Sequence, residues 1–243
     1  MGNRSYRQYR FQGSGSGYPS LTPMVKQLLI ANGVVYVAQL LSPEVTLRLA
    51  LRPVDVVEHY RIWQPFTYMW LHAPDSAMHI LFNMFTLWMF GGILESVWGS
   101  QRFLRFYLQC GIGAGFIIFG WNLVFDPTSL TLGASGALYG LLLAFSLTWP
   151  DRTIMLLFPP IPIKAIWFIP VMFAMTLVFS GGNVSNVGHL GGVIVAGWLM
   201  RDRLAPYLSF GSLRHRWHRW RMRNRLRSVR RDEWERRNSD RDD

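Results

Sequence analysis

Charge is scarce in this sequence: only 16% of its 243 residues are Asp, Glu, Lys or Arg, where a soluble domain carries about a quarter. Half of the residues are hydrophobic and 15% aromatic, which excludes a disordered or solvating chain. Cysteine is nearly absent. Cys110 stands alone, so no intramolecular disulfide forms, and with no histidine near it in sequence it reads as structural. A cleavable leader is also not evident, because the first apolar run starts near Met24, after a polar, basic segment, and has no A-x-A-like site.

What is present is a set of apolar runs of membrane-spanning length between short islands of charge. In hydrocarbon every backbone N–H and C=O needs a partner within its own segment, so these runs read as helices of a polytopic, all-α membrane protein. Six spans are predicted, at roughly 24–41, 77–97, 103–123, 134–149, 163–180 and 187–200. They make a membrane domain of 24–200, flanked by a flexible tail over 1–23, with its "GSGSGYPS", and a basic tail over 201–243. The connection 42–76 is rich in Pro, Trp and Tyr, which suits a segment lying at the membrane interface.

Lysine and arginine give the orientation. With the N-terminus in the cytoplasm, that side holds Arg4, Arg7, Arg10, Lys26, Arg102, Arg105, Arg152, Lys164 and the arginines of the C-terminal tail. The other side holds Arg48, Arg52 and Arg61, so both termini are expected in the cytoplasm. The tail "RHRWHRWRMRNRLRSVRR" accounts for much of the net charge of +11. Arginines interleaved with aromatics also suit nucleic acid. Leu213, Trp217 and Trp220 recur at helical spacing directly after a span, however, and a basic amphipathic helix on anionic membrane lipids is the plainer account. No nucleic-acid partner is expected.

Small residues recur every four positions at Gly111/Gly115, Gly136/Gly140 and Gly188/Gly192/Ala196, a pattern that lets helices approach closely in lipid. Against this apolar background a few polar groups stand out: His79, Asn83 and Glu95 in the second span, Ser135 in the fourth and His189 in the sixth. Helical rise compares their depths. From Ser135 to Trp149 the fourth span covers ~20 Å of the roughly 30 Å of hydrocarbon, so Ser135 starts below the outer surface. Counted from the cytoplasmic edge, His189 lies ~17 Å up and Asn83 ~22 Å up, with His79 one turn higher.

A serine, a histidine and an amide at one level permit acyl transfer. Histidine takes the serine proton, and the oxyanion that develops is met by the Ser135 N–H, the Asn83 amide and His79. Gly133 and Gly136 leave room for a substrate backbone. No acid lies near His189 in sequence, so the unit is a dyad. Taken singly, each residue has a plainer role: Ser135 as an N-cap, Asn83 as interhelical glue, His189 as the partner of a carbonyl or a metal ligand. A zinc site finds neither an H-E-x-x-H pair nor a third strong ligand, and no metal is expected. Glu95 reads as a structural hydrogen-bonding residue. Together the set favours catalysis.

"HILFN" (His79 to Asn83), "GASG" (Gly133 to Gly136) and "GHLGG" (His189 to Gly192 within it) resemble, in order and in the expected spans, the motifs of the rhomboid intramembrane serine proteases. "GGILE", ending at Glu95, is similar to the family's second-span ending, and the likeness runs from about Trp63 to Met200. The resemblance implies a six-helix rhomboid-like bundle. It implies Ser135 as nucleophile, His189 as general base, and His79, Asn83 and the Ser135 N–H as the oxyanion hole. It implies that Tyr139 packs on the histidine and that polar "SGGNVSN" covers the site from outside. The implied substrates are single-span membrane proteins, cut within or beside their transmembrane helix without a cofactor, in a bacterial-type inner membrane. Two positions depart from the family pattern: Gln64 follows Trp63 in place of arginine, and Ala196 replaces a glycine seven residues after His189. The competing readings are a catalytically silent relative that binds or traffics membrane helices, and a small transporter. The transporter reading expects an internal repeat, and the motifs of the second, fourth and sixth spans all differ.

Overall fold

The computed structural model describes residues 21–155, 160–179 and 186–208. The polar N-terminal tail up to residue 20, the amphipathic stretch around Trp217 and most of "SGGNVSN" lie outside them. The chain divides into two compact units, 1–199 and 200–243. The second contributes one described helix, α11 (Arg201–Leu208).

The first unit is a helical bundle. Its helix α1 (Pro23–Leu41) opens with proline at its first position, where a missing N–H costs nothing. The connection that follows folds into short pieces: α2 (Pro43–Leu49), α3 (Pro53–Glu58), α4 (Gln64–Thr67) and a 3-10 turn, Tyr68–Trp70. One continuous rod, Ala77–Trp98, consists of α5 (Ala77–Thr86), a π turn (Leu87–Gly91) and α6 (Gly92–Trp98). Next come α7 (Ser100–Phe125) and α8 (Ser135–Thr148), a two-stranded antiparallel hairpin of β1 (Thr153–Met155) and β2 (Pro162–Lys164), then α9 (Phe168–Phe179) and α10 (Asn186–Leu199). The helices α1, Ala77–Trp98 and α7 are each long and apolar enough to cross a membrane, while α8, α9 and α10 are shorter apolar helices.

The shortest route to the site runs through α8. Every residue from Gly136 to Leu147 is buried, so this helix is wrapped on all sides, as an evenly apolar helix requires. The outer helices send large apolar side chains outward instead: Ile30, Val34 and Val37 on α1, Leu81 and Phe82 on α5, Ile194 and Trp198 on α10. Glycine decides how close the inner helices come. A Cβ on Gly140 would stand 2.6 Å from Cys110 Sγ on α7, and one on Gly192 would overlap the backbone carbonyl of Gly136. The α8–α10 contact is therefore backbone against backbone.

Two expectations change. Gly111 and Gly115 meet mainly the interfacial connection: a Cβ on Gly111 would collide with the Met69 side chain, and one on Gly115 with the Pro65 carbonyl. That stripe admits α4 and the 3-10 turn after it more than another long helix. The fifth helix begins at Phe168, after the 3-10 turn Ala165–Trp167, and not at 163. Residues 162–164 pair as a strand, with Ile163 opposite Ile154, so their backbone is committed to the antiparallel hairpin.

Candidate active site

Ser135 is the first residue of α8, so its backbone N–H has no intrahelical partner. The turn before it is held from outside. Gly133 N–H donates to the Tyr68 carbonyl at 3.0 Å, and Tyr68 Oη donates to the Gly111 carbonyl at 2.8 Å. Just upstream, Leu51 and Thr131 exchange two backbone hydrogen bonds. The interfacial connection thereby pins the strandlike approach to the serine onto α7.

The glycine contact of α8 with α10 brings His189 to Ser135. Its Nε2 lies 2.9 Å from Ser135 Oγ, and its ring is 5% exposed. Tyr139, one turn along α8, stacks flat on the imidazole, with ring centroids 4.1 Å apart and planes 13° apart. The Tyr139 hydroxyl lies 2.8 Å from Thr176 Oγ1 on α9. Behind His189 there is no acid: its Nδ1 is buried and has no hydrogen-bond partner among the described residues.

His79 approaches from the other side. Its Nδ1 accepts the Ala73 N–H at 3.3 Å, which leaves the proton of the neutral ring on Nε2. Gly133 sits at φ +127°, a conformation open to glycine, and a Cβ built there would lie 3.1 Å from His79 Nε2 and 3.9 Å from Ser135 Oγ. The missing side chain is thus the space that the histidine and serine flank. Asn83 follows His79 by four residues and so shares its helix face. The asparagine is buried, and its amide Nδ2 has no partner among the described residues. Ser135, His189, Tyr139, Gly133 and His79 are thus brought together, Gly136 and Gly192 lie in the contact between α8 and α10, and Asn83 shares the His79 face of α5. Among the described residues no three His, Cys, Asp or Glu side chains gather as metal ligands would.

Several supporting residues escaped the sequence reading. His72 is fully buried on the interfacial connection and packs edge-on against His79, with centroids 5.3 Å apart. Burial, reinforced by the charge His79 would carry, lowers it from 6.5 to about 3, so it is neutral at ordinary pH. Gln64, in the place where the resemblance expects arginine, is fully buried and does an anchoring job of its own: its Oε1 accepts the Arg52 N–H at 3.0 Å. Gln39 of α1 likewise brackets His72, donating to its carbonyl at 3.0 Å and accepting its N–H at 2.9 Å. A buried amide inside an apolar run was the available signal for Gln39; Gln64 stood out in the sequence only as a departure from the family pattern, which did not show what it anchors.

A bundle of apolar helices with a serine and a histidine in hydrogen-bond contact inside it belongs to the class of polytopic membrane proteins with a sunken polar site. The comparisons make the class specific. A family model described as the Rhomboid domain matches residues 59–204, and the chain belongs to the rhomboid family. RHOMBOID-like protein 1 of Arabidopsis thaliana is 32% identical over 146 residues, 60% of this chain and 35% of that protein. Rhomboid protease GluP of Bacillus subtilis (strain 168) is 35% identical over 133 residues, 54% of this chain and 24% of that protein. The human Presenilin-associated rhomboid-like protein, mitochondrial, is 25% identical over 127 residues, 51% of this chain and 34% of that protein. The matched stretch thus covers about a third or less of each relative's length.

Proposed function

We propose that this protein is an intramembrane serine endopeptidase working through a Ser135–His189 dyad. The observation that carries the reading is the 2.9 Å separation of His189 Nε2 and Ser135 Oγ, a nucleophile and base from two helices within hydrogen-bond reach. His189 Nε2 takes the Ser135 proton as Oγ attacks a peptide carbonyl carbon. The carbonyl oxygen becomes an oxyanion, met by the Ser135 N–H, the Asn83 amide and His79 Nε2–H. His189 then returns the proton to the departing amine, leaving an acyl ester on Ser135. Water, deprotonated by the same imidazole, releases the acid and restores the serine.

The substrates of this reading are single-span membrane proteins, cut in or beside their transmembrane helix, where a locally opened helix exposes a carbonyl. Both termini face the cytoplasm, in a bacterial-type inner membrane, with the basic C-terminal tail on anionic lipids. The relative named a rhomboid protease supports the activity. A second reading, a silent relative that holds membrane helices, draws on relatives whose names claim no proteolysis. The His189 Nε2–Ser135 Oγ contact favours catalysis over it, since a protein that only binds helices needs no base on that hydroxyl.

The test is cleavage of a model single-span substrate by purified protein in liposomes, beside Ser135→Ala and His189→Ala. Discrete cleavage by the parent, lost in both variants, is the expected result. Cleavage that persists in Ser135→Ala overturns the nucleophile, and a parent inert on several substrates supports the silent reading.

A further inference from the structure

In a serine–histidine–acid unit the acid does more than balance charge: it fixes the rotation of the imidazole. Here Nδ1 of His189 has no partner among the described residues, so the ring must be oriented by other means. Among the described residues its polar and ring contacts are the bond to Ser135 Oγ and the face of Tyr139 stacked 4.1 Å away. A stack holds an imidazole only as firmly as the phenol itself is held.

The phenol is held at its hydroxyl, and by another helix. Tyr139 Oη lies 2.8 Å from Thr176 Oγ1, and Thr176 Oγ1 lies 2.9 Å from the Met172 carbonyl one turn back on α9. The carbonyl accepts only, and threonine has one O–H to give. Both short bonds form when Thr176 donates to Met172 and Tyr139 donates to Thr176. Thr176 is the only residue of the α9 sequence FIPVMFAMTLVF with a hydrogen-bonding side chain. A hydroxyl in such a helix is costly in lipid unless bonded; this one gives its proton to the Met172 carbonyl, and its oxygen accepts from the phenol that packs against His189.

We propose that Thr176 is a positioning residue for the Ser135–His189 pair, acting through Tyr139. It fixes the phenol's hydroxyl end, the phenol's face fixes the imidazole plane, and Nε2 is thereby kept on Ser135 Oγ without an acid behind it. The arrangement also ties α9 to the reacting pair on α8 and α10 through one chain of contacts. This role rests on the reading of Ser135 and His189 as a hydrolytic pair.

The test compares Thr176→Val, Thr176→Ser, Tyr139→Phe and the double variant Thr176→Val/Tyr139→Phe in liposomes. Each is measured for kcat and KM on the single-span substrate and for the rate at which a fluorophosphonate labels Ser135. Loss of one orienting hydrogen bond is expected to lower kcat about fivefold in Thr176→Val with KM unchanged. The effect stays moderate because the Met172 carbonyl, 3.5 Å from Tyr139 Oη, becomes a substitute acceptor. Thr176→Ser restores the hydroxyl and is expected within about twofold of the parent, and the double variant within about twofold of Tyr139→Phe, which already lacks both the Thr176 bond and its Met172 substitute. A Thr176→Val enzyme as fast as the parent, a Ser variant no better than Val, or losses that multiply in the double variant overturns the proposal. Failure of the underlying reading looks different: the parent itself then neither cleaves nor takes the label, and the inference falls with it.

Discussion

Asn83 and Glu95 lie twelve residues apart on one rod, ~18 Å along its axis, and their surroundings are opposites. Glu95 is buried and saturated. Its carboxylate accepts from the Met24 and Val25 N–H groups, both at 2.9 Å, from Ser100 Oγ at 2.6 Å, and from Thr22 Oγ1. It thereby caps the start of α1 with a charge from α6 and ties both to the start of α7. Asn83 is also buried, yet its amide donor has no partner among the described residues, and neither has Nδ1 of nearby-level His189. Glu95 is fully spent on holding the fold together. Asn83 keeps a donor in reserve, and the fold carries its desolvation cost.

Substitutions at the two ends should then separate chemistry from stability. The largest effect is expected from Asn83→Ala, which removes a donor to the oxyanion: kcat falls about a hundredfold or more, while the melting temperature is unchanged or rises. Glu95→Gln should do the reverse. It turns part of a saturated acceptor into a donor facing other donors, costing about 2 kcal/mol of stability, with kcat per folded molecule unchanged. Chemical or thermal denaturation in detergent, alongside cleavage in liposomes, reads both. Gly133→Ala comes next, because a Cβ at φ +127° fills the space between His79 and Ser135; kcat is expected to drop about tenfold from strain and displacement of His79. If Asn83→Ala destabilised and Glu95→Gln slowed chemistry, the contrast between the two ends would be reversed.

The last effect is one of pH. His72 in the folded protein is lowered to about 3, below its ordinary 6.5, so between those values the unfolded chain binds a proton that the folded one refuses. Stability should therefore fall as pH drops from 6.5 toward 3, and be unaffected by this group above that window. Replacing it in His72→Gln should flatten the melting temperature against pH relative to the parent over that range. An identical slope in both would mean that His72 is not the neutral, buried group described.

Much of this was legible in the sequence because lipid simplifies the code. Long apolar runs had to be helices, and the few polar residues inside them had to be accounted for, which led directly to Ser135, His189, Asn83 and His79. The rest depended on information that sequence order does not carry. The apolar run "IPIKAIWF" suits a strand or a helix equally, and only pairing with Thr153–Met155 decides that it begins as a strand. Gly111 announces a close approach but not its partner, which proved to be Met69 of the interfacial connection. Thr176 is a single hydroxyl in an apolar helix, and its value rests on that helix's rotation toward Tyr139.

The most direct measurement treats the reconstituted protein with a fluorophosphonate and locates the adduct by peptide mass spectrometry. A poised nucleophile–base pair predicts label on Ser135 alone, and none there once His189→Ala removes the proton acceptor. A folded parent that takes no label at Ser135, or a His189→Ala protein that takes it undiminished, would contradict the account.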